Sequence, residues 1–370
     1  MTEFDIKRDR LANICRDARL AGIVIATQAN FAWLTGGRTN RIDASRDLGA
    51  GSLLVSADGR AHLLANVIEM PRLAGEELAD LPLAPIEYPW AADHAAPDTL
   101  VRLAKQALGG DARIGADWPL PGAVGVDREV ARARAPLTDA EMERYRHLGR
   151  DVSRAIERAC RTLEPGLDEQ EIARRASEAV ASVGARAVVA LVGADERIAR
   201  FRHPVPTTAR WKKMVLVACC AERQGLVAAI SRLVSAGPVE PAVAARTHAT
   251  AGVFGALLDA TREGATGRSL FAAAAAAYAR VGFAGEELKH HQGGATGYRS
   301  REWLAHPASE ERVRAPQAFA WNPSITGTKV EDTALVTEAT IEIVTTTGDW
   351  PSIPMNVGGR TLAAADVLSI

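Results

Sequence analysis

Residues 214–236, MVLVACCAERQGLVAAISRLVSA, are two apolar runs of strand length hinged on Arg223-Gln224-Gly225. A strand pair this apolar has to be covered by other elements, and helical patterns stand on both sides of it in sequence. Upstream, a helical pattern runs from Thr138 to about Leu163 and stops at Pro165-Gly166. Thr138 and Glu141 have the spacing of a capping box, and Asp168 is placed to cap a second helix. AVVALVG (187–193) reads as a further strand. Downstream, helices are expected near 241–263 and 268–281, the latter closed by Gly282. The stretch AFAWNPSITGTKVEDTALVTEATIEIVTT alternates apolar and polar residues and predicts two or three antiparallel strands. From residue 138 onward the reading is α+β, helices packed on one antiparallel sheet.

The first 130 residues read differently. GIVIA (22–26) and ARIGAD (112–117) predict strands, FAWLTGG (31–37) a short helical or turn element, and LVRLAKQAL (101–109) an amphipathic helix. GSLLVSADGRAHLLAN (51–66) places two apolar runs around Asp58-Gly59, a hairpin signal. This alternation predicts a smaller α/β domain over 1–130 and a larger one over 138–370. The Pro-, Gly- and Arg-rich stretch 117–138 is the expected boundary.

With 47% hydrophobic and 24% charged residues and a net charge of −1, the chain has no electrostatic case for nucleic acid or an anionic membrane. The charged N-terminal stretch is unlike a secretion signal, and no apolar run reaches the length of a membrane span. Cys15, Cys160, Cys219 and Cys220 form no CxxC pair. A reducing cytoplasm is therefore expected, with the four thiols as buried small side chains.

The order of elements resembles the pita-bread superfamily of aminopeptidase P, prolidase, methionine aminopeptidase and creatinase. LEPGLDEQEIA resembles its helix-pair entry, RFRHPVPT its substrate-histidine segment with His203 matching, and VEDTALVTE its last ligand strand with Glu331 matching. The resemblance covers nearly the whole chain. It implies a pita-bread C-terminal domain behind a smaller α/β domain, and a homodimer. It also implies a dinuclear metal site of two aspartates, a histidine and two glutamates. Here Ala218 and Ala229 stand at the aspartate positions, Gly294 at the histidine and Asn322 at the first glutamate; only Glu331 remains. Side chains without an anionic oxygen or an imidazole do not hold hard or borderline ions, so neither metal nor cofactor is expected.

The pattern of losses is most similar to creatinase, which hydrolyses a C–N bond without metal. Arg301 stands where that branch carries an arginine, and His290 lies eleven residues before it; His203 stands at its proton-transferring histidine. Creatinase's guanidinium-binding glutamates are replaced by Ser231 and Asn322, so creatine is not the expected substrate. A neutral imidazole takes and returns protons near pH 7, and an arginine fork suits a carboxylate. The expected catalytic residues are His203, His290 and Glu331, with Glu331 orienting a histidine. Arg301, His291, Gln292, Arg202, Asn322, Arg232 and Ser231 are expected to bind substrate. As neighbours on a strand, His290 and His291 would face opposite ways.

The expected activity is metal-independent hydrolysis of a C–N bond in a small carboxylated amide, amidine or ring compound. The alternatives are a non-catalytic binding protein built on the same fold and a histidine-dependent lyase or cyclase. Each residue also has a plain reading: His203 as a loop residue, Arg301 in a surface salt bridge, Glu331 paired with Lys329 or Arg232. GGATG (293–297) is a poor phosphate loop, because no strand-then-helix context surrounds it.

Overall fold

The computed structural model describes all 370 residues, which form two compact units, Met1–Thr138 and Asp139–Ile370. In the first, a six-stranded mixed sheet has the central strand Gly22–Thr27 antiparallel to Leu48–Ser56 and parallel to Ile114–Ala116. The Asp58-Gly59 hairpin forms as expected, joining Leu48–Ser56 to Ala61–Asn66. Two findings differ from the sequence reading. Ala84–Tyr88 is an edge strand paired parallel to Ala61–Asn66; its proline and short length mask it. The stretch 117–138 is not a bare linker: it carries the strand Val124–Gly125 and the helix Asp127–Arg134, whose Val130 is fully buried.

In the second unit the helix Asp139–Arg161 precedes Glu169–Ser182, which Asp168 caps by accepting from Glu171 N at 2.8 Å. Met214–Arg223 and Leu226–Ser235 form the hairpin, in register from Met214↔Ser235 to Arg223↔Leu226. Its two-residue loop has φ of +53° at Gln224 and +78° at Gly225. That is the left-handed pair a tight hairpin turn requires, and glycine adopts it without strain. Arg186–Ala194 pairs antiparallel on one side, and Val367–Ser369 adds a parallel strand on the other.

A second, five-stranded sheet contains Gly293–Thr296, Gln317–Trp321 and Asp332–Val336. The expected antiparallel sheet is thus divided between two sheets and two hairpins, one of them the C-terminal pair Ser352–Val357 and Arg360–Ala365. The helices Pro241–Ala260 and Gly267–Arg280 cover this sheet. Phe254, Leu257, Leu258, Leu270 and Ala274 pack with Phe319, Trp321, Ala334 and Val336 in one buried cluster. Gly282 ends the second helix at φ +85°. No helix is long and apolar enough to cross a membrane.

Arg232 is a structural residue, contrary to the expectation that it binds substrate. Its side chain is 1% exposed, pairs with Glu157 at 2.8 Å and Asp332 at 3.0 Å, and donates to Thr345 O at 2.7 Å. Strand alternation explains this: Ser231 and Arg232 point to opposite faces of the hairpin. Removing the guanidinium leaves two carboxylates buried and unmatched. Arg232→Met should therefore cost about 3–5 kcal/mol of unfolding free energy. A loss under about 1 kcal/mol in urea unfolding would show that the three groups are not coupled.

Candidate functional site

Four chain segments of the second unit build the site. His203 follows the short helix Glu196–Arg200, and its segment is tied down by Val192 N donating to Pro204 O at 3.2 Å. His290 and His291 lie between the 3-10 turn Glu286–Leu288 and the strand Gly293–Thr296. Because they precede that strand, strand alternation does not apply, and both rings meet His203, with ring centroids 4.9 Å and 5.5 Å away. This corrects the expectation that the two face opposite ways as neighbours on a strand.

The contact that defines the cluster is His290 Nε2 to His203 Nε2 at 3.1 Å. On its other side, His290 Nδ1 lies 3.1 Å from Ser324 Oγ, which also accepts from Arg202 Nη1 at 3.0 Å. Arg202 is committed to that second layer. Its Nη2 donates to Glu286 Oε2 at 2.5 Å and Thr326 Oγ1 at 2.9 Å. Gln292 is likewise a positioning residue and not a substrate contact. It is fully buried, accepts from the Tyr278 hydroxyl at 2.8 Å, and donates to Glu287 O at 3.2 Å and His290 O at 2.5 Å. It staples the backbone that presents the two histidines.

Glu331 contacts no histidine, contrary to its expected role as the group that orients one. Lys329 Nζ lies 2.7 Å from Oε2 and Arg301 Nη2 lies 3.0 Å from Oε1, while the Ser231 hydroxyl donates to Oε2 at 2.5 Å. Ser231 is thus held by Glu331. Asn322 is buried, with Oδ1 left without a partner. Sequence reasoning missed Ser324, Glu286 and Lys329 as parts of the site. For Lys329 the signal was present: two residues before Glu331 on extended chain, it shares that residue's face.

The electrostatics follow from this packing. Burial pushes all three histidines toward the neutral form. His290 falls to about 2 and His291 to about 4, and His203 is lowered as well. The ammonium of Lys329 adds to the effect on His203 and His290, and the guanidinium of Arg301 to that on His291. Burial alone would raise Glu331, but Lys329, Arg301 and Ser231 overrule it and hold the carboxyl at about 2. One nitrogen from each histidine lies within 4.8 Å of the others, close enough for three ligands of one ion. Two cations beside one carboxylate leave net positive charge against them, which opposes a divalent ion.

The positions at which the resemblance implies metal ligands are filled otherwise. Ala218 pairs with Ser231 and Ala229 with Cys220, so both alanines lie on the face of the hairpin from which Ser231 reaches Glu331. At Gly294 any side chain is excluded: a Cβ would lie 2.1 Å from Trp303 O.

A group whose folded pKa is depressed contributes stability above its unfolded pKa and loses it as pH falls toward the folded value. The neutral histidines therefore destabilise the fold on acidification from about pH 6.5 toward 4. Asp332, raised to about 6 by burial, acts in the opposite sense as pH falls from about 6 to about 4. His290→Asn should flatten the loss of stability between pH 6.5 and 4, measured by urea unfolding at stepped pH. An unchanged slope would mean that His290 is not held neutral.

Residues 143–338 match the family model for metallopeptidase family M24, and residues 7–119 match that for the creatinase/prolidase N-terminal domain. No match was found among curated protein sequences. Among solved structures, the dipeptidase PepE from Mycobacterium ulcerans is similar at 22% identity and a TM-score of 0.78, covering 100% of this chain and 98% of that one. The prolidase from Pyrococcus horikoshii OT3 is similar at 18% identity and 0.76, covering 92% and 98%. The N-terminal domain of the FACT complex subunit SPT16 from chickpea (Cicer arietinum) is similar at 12% identity and 0.67, covering 94% and 97%. These likenesses share the two-domain α+β fold, and with the family match spanning more than half the sequence, the chain belongs to metallopeptidase family M24.

Proposed function

We propose that this chain is a hydrolase of a C–N bond in a small carboxylated amide, amidine or ring compound, working by histidine proton transfer without the family's pair of metal ions. The carrying observation is the 3.1 Å contact between His203 and His290 beside a carboxylate already saturated by two side-chain cations. Support against a dinuclear centre comes from residue type and space: two alanines, a glycine position closed to any side chain, and a glutamate with both oxygens engaged.

His203 is the exposed member of the histidine cluster and His290 the buried one. In the reading proposed here His203 Nε2–H donates to His290 Nε2, and His290 Nδ1–H donates to Ser324. The lone pair of His203 Nδ1 is then free to take a proton from water. The hydroxyl oxygen adds to the substrate carbon, and the electron pair of its C=O or C=N bond moves to the heteroatom. His203 then returns the proton to the leaving nitrogen as the C–N bond breaks. His290, kept neutral by burial, accepts from the His203 imidazolium and holds its orientation. His291, half-buried, is the donor for the developing oxyanion. Arg301 carries the substrate carboxylate. A cytoplasmic homodimer is part of the same reading.

Chelated, metal-analysed protein assayed against small amides and cyclic amidines tests this. Turnover should survive chelation and fall about 10²–10⁴-fold in His203→Ala, the range general acid–base catalysis supplies. Activity that dies on chelation and returns with manganese, cobalt or zinc defeats the proposal. The likeness to a FACT complex subunit favours a second reading, a binding protein on the same fold. Absence of turnover across the panel, with small-molecule binding retained, would select it.

A further inference from the structure

Lys329 reads in the sequence only as a pairing partner of Glu331, yet its side chain is 6% exposed and lies against the carboxylate at the centre of the site. Its ammonium has three protons and one partner, Glu331 Oε2 at 2.7 Å. Arg301 stands on the other oxygen, and its Nε is buried without a partner. His291 Nδ1 is a second buried polar atom without one, as is Asn322 Oδ1. Buried polar atoms are ordinarily satisfied, so orphaned ones gathered beside a functional cluster call for a ligand. The local charge is two cations to one carboxylate, so the missing ligand is an anion.

We propose that Lys329 and Arg301, clamped on the two oxygens of Glu331, form a carboxylate-binding subsite in which side-chain cations supply the positive charge that metal ions supply elsewhere in the family. This rests on the hydrolase reading for its place in a reaction, and names the substrate class: the scissile compound carries a carboxylate held by both cations. Arg301 offers its unpaired Nε–H, and Lys329 its two remaining N–H bonds. Asn322 Oδ1 offers an acceptor to a substrate N–H. Glu331 acts as an internal counter-ion. It keeps both cations folded into the site and competes with the incoming carboxylate for them.

That competition gives the test a sign that a purely structural salt bridge does not have. Malonate is titrated calorimetrically into the full-length protein at pH 7, with no turnover involved. Lys329→Met and Arg301→Met should each weaken malonate binding by about tenfold or more, since each removes a charge-assisted hydrogen bond. Lys329→Arg, which keeps the charge, should restore most of it. Glu331→Gln should bind malonate more tightly than the wild type, because it releases both cations. Should a methionine variant fail to fold, Glu331→Gln and Lys329→Arg still decide the matter. No malonate binding in either the wild type or Glu331→Gln overturns the inference, as does binding indifferent to Lys329. Turnover that depends on His203 with malonate binding indifferent to Lys329 sinks the subsite alone. Lys329-dependent binding without turnover sinks the hydrolase reading alone.

Discussion

A carboxylate 4% exposed to solvent needs positive charge at hydrogen-bond distance to stay ionised, and Glu331 has two such partners. Much of the site is arranged around that requirement. Lys329 reaches Glu331 from two residues upstream on the same extended segment. Arg301 comes from the loop after Gly293–Thr296, and Ser231 from the central hairpin. Three separated pieces of chain are thereby fixed to one another. The positive charge they gather helps to keep His203, His290 and His291 neutral. Burial and that positive charge together keep the imidazoles neutral well below pH 7.

The neighbouring acid shows how much the partners matter. Glu331 and Asp332 are both buried and adjacent, yet burial wins at Asp332, raised to about 6, and loses at Glu331, held at about 2. Alternation sends them to opposite faces. Glu331 meets an ammonium, a guanidinium and a hydroxyl. Asp332 shares a single arginine, Arg232, with Glu157, and its Oδ2 has no partner. The same residue class, one step apart, thus serves the site on one face and the core on the other.

The hairpin at Gln224-Gly225, the helices on either side and the Asp168 cap were legible because each depends on a local signal: a turn dihedral, a 3.6-residue period, a side chain reaching its own backbone. The edge strand Ala84–Tyr88 and the C-terminal hairpin were missed, since short strands with little apolar pattern are defined by their partners. Among site residues, the meeting of His203 with His290 follows from the motif order. The roles of Gln292, Arg202 and Arg232 do not, for a polar side chain beside a histidine reads the same whether it faces a ligand or staples a backbone. Only the contacts of Gln292 with Tyr278 and of Arg232 with Glu157 and Asp332 separate the two.

The order of residues alone determined the two-domain α+β architecture and put side chains without a carboxylate at Ala218, Ala229 and Asn322, because periodicity and residue chemistry are properties of the chain itself. The tertiary structure decided which polar groups face one another. Lys329 joins Arg301 on Glu331, both histidines of the pair turn toward His203, and the backbone closes over Gly294. Those outcomes depend on distances between segments far apart in sequence, such as the 87 residues between His203 and His290, and a Coulomb interaction or a hydrogen bond exists only once folding has set the distance.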